Sequence, residues 1–60
     1  MLNLSFIGKR IALKRRQLGL TQVDLASRSA ISRATLEALE NGRSSELGFS
    51  KITRILSALG

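Results

Sequence analysis

Nucleophiles and metal ligands are scarce in this chain. It has no Cys and no His, which removes thiolate and imidazole catalysis, disulfide staples and the commonest metal donors together. What remains is four carboxylates, Asp24, Glu37, Glu40 and Glu46, against ten Lys and Arg. The nearest pair of acids, Glu37 and Glu40, sits among basic groups, a setting that favours ion pairing over acid–base work on a substrate. No catalytic residue, metal site or cofactor is therefore expected. The chemistry on offer is charge recognition. A net charge of +6 on 60 residues, with a pI near 11.6, expects an anionic partner, nucleic acid first and an anionic membrane second.

Those side chains need a scaffold, and sixty residues make one domain at most, residues 1–60. An apolar content of 43% is too high for a disordered polycation. Without staples, a core this small leaves only a few kcal/mol of stability. In the N-terminal stretch from Met1 to Arg16 the apolar residues precede the charges and no long apolar region follows, so it is not expected to be a signal peptide. No run approaches the ~18 apolar residues that span a bilayer. The chain is expected to be soluble and cytoplasmic.

There is no Pro, the aromatics are Phe6 and Phe49 alone, and β-branched runs are absent. These features predict an all-α fold of four, or with one more element five, helices. The first runs from about Ser5 to Leu18, with Ile7, Ile11 and Leu18 at helical spacing and Lys9, Arg10, Lys14 and Arg16 on other faces. Gly19 ends it. Thr21 and Asp24 have the spacing of a capping box and open a second helix that ends near Ser29, with Leu25 and Ala26 inward. Ser32 is a second N-cap, opening a helix that runs to about Asn41, where Asn41-Gly42 tolerates positive φ. Arg43 to Leu47 reads as a loop. The last helix spans roughly Phe49 to Leu59, with Phe49, Ile52, Ile55, Leu56 and Leu59 on one stripe and Lys51 and Arg54 facing out.

Two short capped helices joined by a tight turn form a helix-turn-helix pattern, here over residues 22–39. Leu25, Ala26, Ile31, Leu36 and Leu39 must meet in one small core for the second helix of the pair to lie across the first. That leaves Arg33, Ala34, Glu37 and Ala38 on the outward face, where small side chains allow close approach to a groove.

The blocks Gln17-Leu18-Gly19-Leu20-Thr21-Gln22, with Leu25-Ala26 after them, and Leu39-Glu40-Asn41-Gly42-Arg43 resemble the lambdoid phage repressor/Cro-type helix-turn-helix family. The tail Ser57-Ala58-Leu59-Gly60 fits the same family, and the resemblance covers Ile7 to Gly60. The stretch from Glu46 to Lys51 is similar to antitoxin/repressor subunits of kinase-toxin operons. The resemblance implies a lambda-repressor-like DNA-binding domain of a prokaryote or phage. Such a domain acts as a homodimer on a pseudo-palindromic double-stranded operator, with the helix over about residues 32–41 in the major groove.

Carried over position by position, the resemblance makes Arg33 a base-reading residue, with a guanidinium able to bind guanine O6 and N7 for ~1–3 kcal/mol of discrimination. Ala34 and Ala38 occupy positions often polar in relatives and offer apolar contact, for instance to a thymine methyl. Glu37 either accepts from cytosine N4 or orients Arg33 four residues before it. Gln22 matches a phosphate-gripping position at a helix N-terminus, and Thr21, Thr35, Asn41 and Arg43 would add phosphate contacts. Thr21 can cap and bind phosphate at once, and Arg43 is alternatively a solvated loop charge. The family pairs Arg15 with Glu40 in an internal salt bridge, the alternative being two independent surface charges. The run Lys9, Arg10, Lys14 and Arg16 is either a second phosphate-facing patch or a solvated face supplying general attraction.

Three departures from the family stand out. Ala30 replaces the usual Gly of the inter-helix turn and would be strained if its φ is positive. Glu46 would repel DNA from a loop where some phage repressors hold phosphate. The chain stops at Gly60, so dimerisation would use the edge of the fourth helix, or the chain is a fragment, or a partner protein completes it. Function then divides between a repressor, an antitoxin or interaction subunit that also docks a toxin or other protein, and a membrane-surface peptide. Several capped helices and few aromatic anchors count against the last.

Overall fold

The computed structural model describes residues 3–44 and 46–60. Met1, Leu2 and Ser45 lie outside the described residues, as do the parts of the N-terminal reading and of the 43–47 loop that fall on them. The fold is all-α, with four helices in order: α1 (Leu4–Gln17), α2 (Gln22–Ser29), α3 (Arg33–Glu40) and α4 (Phe49–Ala58). No strand occurs among the described residues. α1 lies against α3, and α2 packs on both α3 and α4.

Three of the helices begin on side-chain caps. Asn3, ahead of the sequence-based start of α1, accepts the amides of Ser5 and Phe6 through Oδ1 at 2.9 and 3.2 Å. The capping box of α2 is complete, with the Asp24 amide donating to Thr21 Oγ1 at 3.0 Å and the Thr21 amide to Asp24 Oδ2 at 2.9 Å. Ser32 Oγ accepts the Thr35 amide at 3.1 Å to start α3. The hydrogen bond from the Thr21 amide holds the Asp24 carboxyl below its ordinary value of 3.8. A folded-state pKa below the unfolded one means that this carboxylate stabilises α2 above the ordinary value, and that the gain is lost as pH falls through the lowered one. A carbon-detected NMR titration should place the Asp24 midpoint below 3.8, and Thr21→Ala should move it upward, because the Thr21 side chain also lowers it.

The first three helices end in the same way. After α1 the amides of Gly19 and Leu20 return to the carbonyls of Arg16 and Arg15; after α2 those of Ala30 and Ile31 return to Ser27 and Ala26; after α3 those of Gly42 and Arg43 return to Leu39 and Ala38. Each is the paired hydrogen bond of a Schellman motif, which requires a left-handed residue at its corner. Gly19 and Gly42 supply it with φ of +72° and +74°, but the corner between α2 and α3 is Ala30, at φ 56° and ψ 42°. A Cβ in that region costs about 1–2 kcal/mol, partly offset by the smaller unfolded-state freedom of Ala. Ala30 is exposed, so Ala30→Gly forfeits no packing and should raise stability by about 0.5–1 kcal/mol. A lower urea midpoint for the Gly variant would remove the strained corner from this account.

The core consists of Ile11, Leu25, Ala26, Leu36, Leu39, Ile55 and Leu59, with Leu4, Ile7, Ile31, Leu47 and Ala58 packed around it. It differs from the helical stripes at four places. Leu18, the C-cap residue of α1, is about half exposed rather than on the core face. Phe49 and Leu56, placed on the inward stripe of α4 by spacing, are 80% and 51% exposed. They lie on the flank of α4 next to α1, where the four helices leave a groove rather than a seam. Arg54 does not simply face out: its Nε donates to the Ser29 carbonyl at 2.8 Å, satisfying an orphan carbonyl at the end of α2. Ser29 itself is fully buried, and its hydroxyl has no hydrogen-bond partner.

The contact between α1 and α3 depends on Gly8, whose role is not visible in the helical periodicity. A Cβ built there would lie 1.9 Å from the Leu39 carbonyl oxygen and 2.7 Å from its carbon. The two backbones therefore touch at Gly8, and this close approach brings Arg15 on α1 within reach of Glu40 at the end of α3.

Candidate nucleic-acid interface

Seen from its residues upward, the site is a hydrogen-bonded chain that runs from the core to the surface. Arg15 and Glu40 are 8% and 7% exposed. Arg15 donates Nε to Glu40 Oε2 at 2.8 Å and NH2 to Oε1 at 3.0 Å, a bidentate pair, and its NH1 donates to the Leu20 carbonyl at 2.8 Å. Glu40 Oε1 also accepts from Gln22 Nε2 at 3.1 Å. At its other end the Gln22 amide oxygen accepts from Arg33 NH1 at 3.0 Å. A buried ion pair thus fixes the first residue of α2, which in turn fixes the first residue of α3. The links at Arg15 and Glu40 satisfy polar groups that would otherwise be costly to bury, while the link from Arg33 to Gln22 lies at the surface.

Arg33 and Ala34 are exposed at the start of α3, while Glu37 and Ala38 are half-buried one turn on. Both oxygens of Glu37 are engaged away from Arg33. Oε2 accepts from Asn41 Nδ2 at 2.9 Å, and Oε1 accepts from Arg43 NH2 in an ion pair. Of the two roles expected of Glu37, orienting Arg33 is not the one its hydrogen bonds serve. The Gly42 corner folds the chain back over the last turn of α3, so Arg43 rather than Arg33 meets the carboxylate. The Arg43 hydrogen bond, aided by the charges of Arg43 and Arg33 and the Asn41 hydrogen bond, holds the Glu37 carboxyl below its ordinary value. Nor is Arg43 an isolated loop charge, since Glu37 holds it in place.

Gln22 gives one Nε2 hydrogen to Glu40 and keeps the other, its amide oxygen being the acceptor from Arg33, and its backbone N–H lies in the first turn of α2, where amides are unsatisfied. Thr21 uses its hydroxyl oxygen as the cap and is exposed. Thr35 Oγ1 accepts from Ser32 Oγ at 2.7 Å, which leaves its own hydrogen to donate. Asn41 also donates to the Glu37 carbonyl at 2.9 Å. Lys9, Arg10, Lys14 and Arg16 are all exposed on α1, apart from this cluster. The link between Gln22 and Arg33 has no signature in sequence spacing, because it joins residues eleven positions apart across the Ala30 corner.

Two short capped helices, a left-handed corner between them, and an outward α3 that opens on a guanidinium define a helix-turn-helix domain, a DNA-binding class. The family model described as "Helix-turn-helix domain" matches residues 8–60, nearly the whole chain, and the protein belongs to that family. No curated protein and no solved structure matches the chain. Among the described residues no helix is long and apolar enough to cross a membrane.

Proposed function

We propose that this domain is a sequence-specific transcriptional regulator of the lambdoid repressor/Cro type. It acts as a repressor at the nucleoid, with α3 in the major groove of a pseudo-palindromic operator and one copy on each half-site. The observation that carries the reading is the fixed position of Arg33. Its guanidinium stands at the exposed start of α3, braced by Gln22, which is itself anchored to the Arg15–Glu40 pair. A side chain held in this way loses little entropy when it meets a guanine edge, which suits base readout. Ala34 adds close apolar contact and Ala38 lies one turn further along. The first-turn amides of α2, with Thr21, Gln22, Thr35, Asn41 and Arg43, supply phosphate contacts that set register. An occupied operator excludes polymerase. A second reading, an antitoxin or interaction subunit that also binds a protein, is favoured by the exposed apolar groove beside α4.

The test is selection of binding sites from random duplexes, followed by competition against scrambled DNA at fixed salt. Equal affinity for all sequences would remove the regulator reading. Arg33→Ala should relax preference at one base position, at a cost of ~1–3 kcal/mol on the selected site. Arg43→Ala should weaken all sequences alike. With three or four phosphates neutralised per half-site, log K should fall with log salt at a slope of about −5 to −7. A flat response would exclude the proposed footprint.

A further inference from the structure

Phe6 and Ile7 of α1 and Phe49, Ile52 and Leu56 of α4 line an open groove of about 740 Å³, with Leu59 also in its wall. None of its lining residues comes from α2 or α3, so it is separate from the proposed reading face. Phe6, Phe49 and Leu56 are 63%, 80% and 51% exposed. Large apolar side chains gathered along one groove in this way mark a docking site rather than scattered surface residues. Arg10 and Lys14, one helical turn apart, border the groove, and both are exposed.

Charge decides what fits. Among the described residues the ion pairs are Arg15–Glu40 and Arg43–Glu37, and Asp24 is committed to the α2 cap. Among the described residues no Asp or Glu side chain lines the groove. Arg10 and Lys14 therefore meet no Asp or Glu side chain there, and a second copy would bring only Asp24 and Glu46 outside an ion pair, against a net charge of +6. Two copies joined through this groove would set cations against cations. We propose that the α1–α4 groove docks an amphipathic helix of another protein, whose apolar face fills the groove and whose acidic flank pairs with Arg10 and Lys14. This is the helix-in-groove mode with electrostatic selection of the partner. It gives the second reading above its binding surface and rests on that reading only for the existence of a protein partner.

The probe is a synthetic helical peptide of about four turns with Leu at the i, i+3, i+4 and i+7 positions. One version carries Glu on the flanks and its twin carries Lys, and binding to the full chain is read by fluorescence anisotropy. The Glu version should bind at least about tenfold tighter than the Lys version, and the doubly reversed Arg10→Glu/Lys14→Glu chain should invert the preference. Phe49→Ser and, independently, Leu56→Ser should each weaken the Glu peptide about tenfold or more while retaining the helical circular dichroism of the parent. Equal affinities, no binding, or indifference to both Ser variants would overturn the proposal. So would a dimer in sedimentation that is lost in Phe49→Ser and displaced by the peptide, which would assign the groove to a second copy. Pelleting with phosphatidylserine vesicles that is lost in Phe49→Ser would assign it to a membrane. The same preparations are titrated with selected duplex. Peptide failure with DNA binding intact sinks the groove assignment alone, and peptide binding without DNA binding sinks the regulator reading alone.

Discussion

Glu40→Gln is expected to remove about 3–5 kcal/mol of stability, the cost of leaving one member of a buried ion pair without its countercharge. The side chains of Arg15 and Glu40 are 10% and 2% exposed, so water cannot replace the lost carboxylate. Gln offers one acceptor where Arg15 Nε and NH2 now use two, and its amide N–H₂ would point at a donor. A domain of this length has only ~3–9 kcal/mol in all, so the variant should be largely unfolded near physiological temperature. The control is the double variant Arg15→Met/Glu40→Leu, which replaces both charges with apolar groups of similar size. It should lie nearer the parent than Glu40→Gln does, because no charge is left stranded. Urea midpoints of the parent, Arg15→Met, Glu40→Leu and the double complete the cycle. A cost below about 1 kcal/mol for Glu40→Gln would make the pair equivalent to a surface salt bridge. The double variant also separates stability from recognition. It keeps the fold but deprives Gln22 Nε2 of its acceptor, so Arg33 should lose part of its discrimination while phosphate-driven affinity holds.

Gly8→Ala should be comparably damaging, although Ala is the better helix former. In an exposed helix interior the change would gain about 1 kcal/mol. Here the new methyl would fall 1.9 Å from the Leu39 carbonyl oxygen, which is backbone and cannot rotate aside. α1 and α3 must then separate, and overpacking of this kind costs about 1–3 kcal/mol or more. Separation also lengthens the reach from Arg15 to Glu40, which adds part of the ion-pair loss. We expect a net destabilisation of about 3 kcal/mol, read as a lower urea midpoint with little change in slope. A neutral or stabilised variant would show that the two helices do not meet at this point.

The helix boundaries were legible because capping and corner chemistry are local. Thr21 with Asp24, Ser32, Gly19 and Gly42 each act within a few residues, and each sits where its type predicts. Ala30 was legible too, as a residue of the wrong type at a corner that needs positive φ. The outward position of Arg33 followed from the same periodicity. Gly8 was not legible, because a glycine within a helix has no local signature of the backbone that crosses it. Phe49 and Leu56 were misplaced for a related reason: periodicity tells which residues share a face, but not whether another helix covers that face. The partner of Glu37 was not legible, because the nearest cation in sequence, Arg33, lost to one brought back by the Gly42 corner.

Sequence alone determined the all-α class, the caps and corners that bound the helices, the surplus of cations and the absence of thiol and imidazole chemistry, since these depend on residue type and on interactions a few positions long. Tertiary structure decided which apolar faces are covered and which lie open beside α1. It also decided how Arg15, Glu40, Gln22 and Arg33 join into one bracing chain. The bracing chain depends on hydrogen bonds between residues as many as twenty-five positions apart. Such contacts arise only when packed backbones place the groups at hydrogen-bond distance.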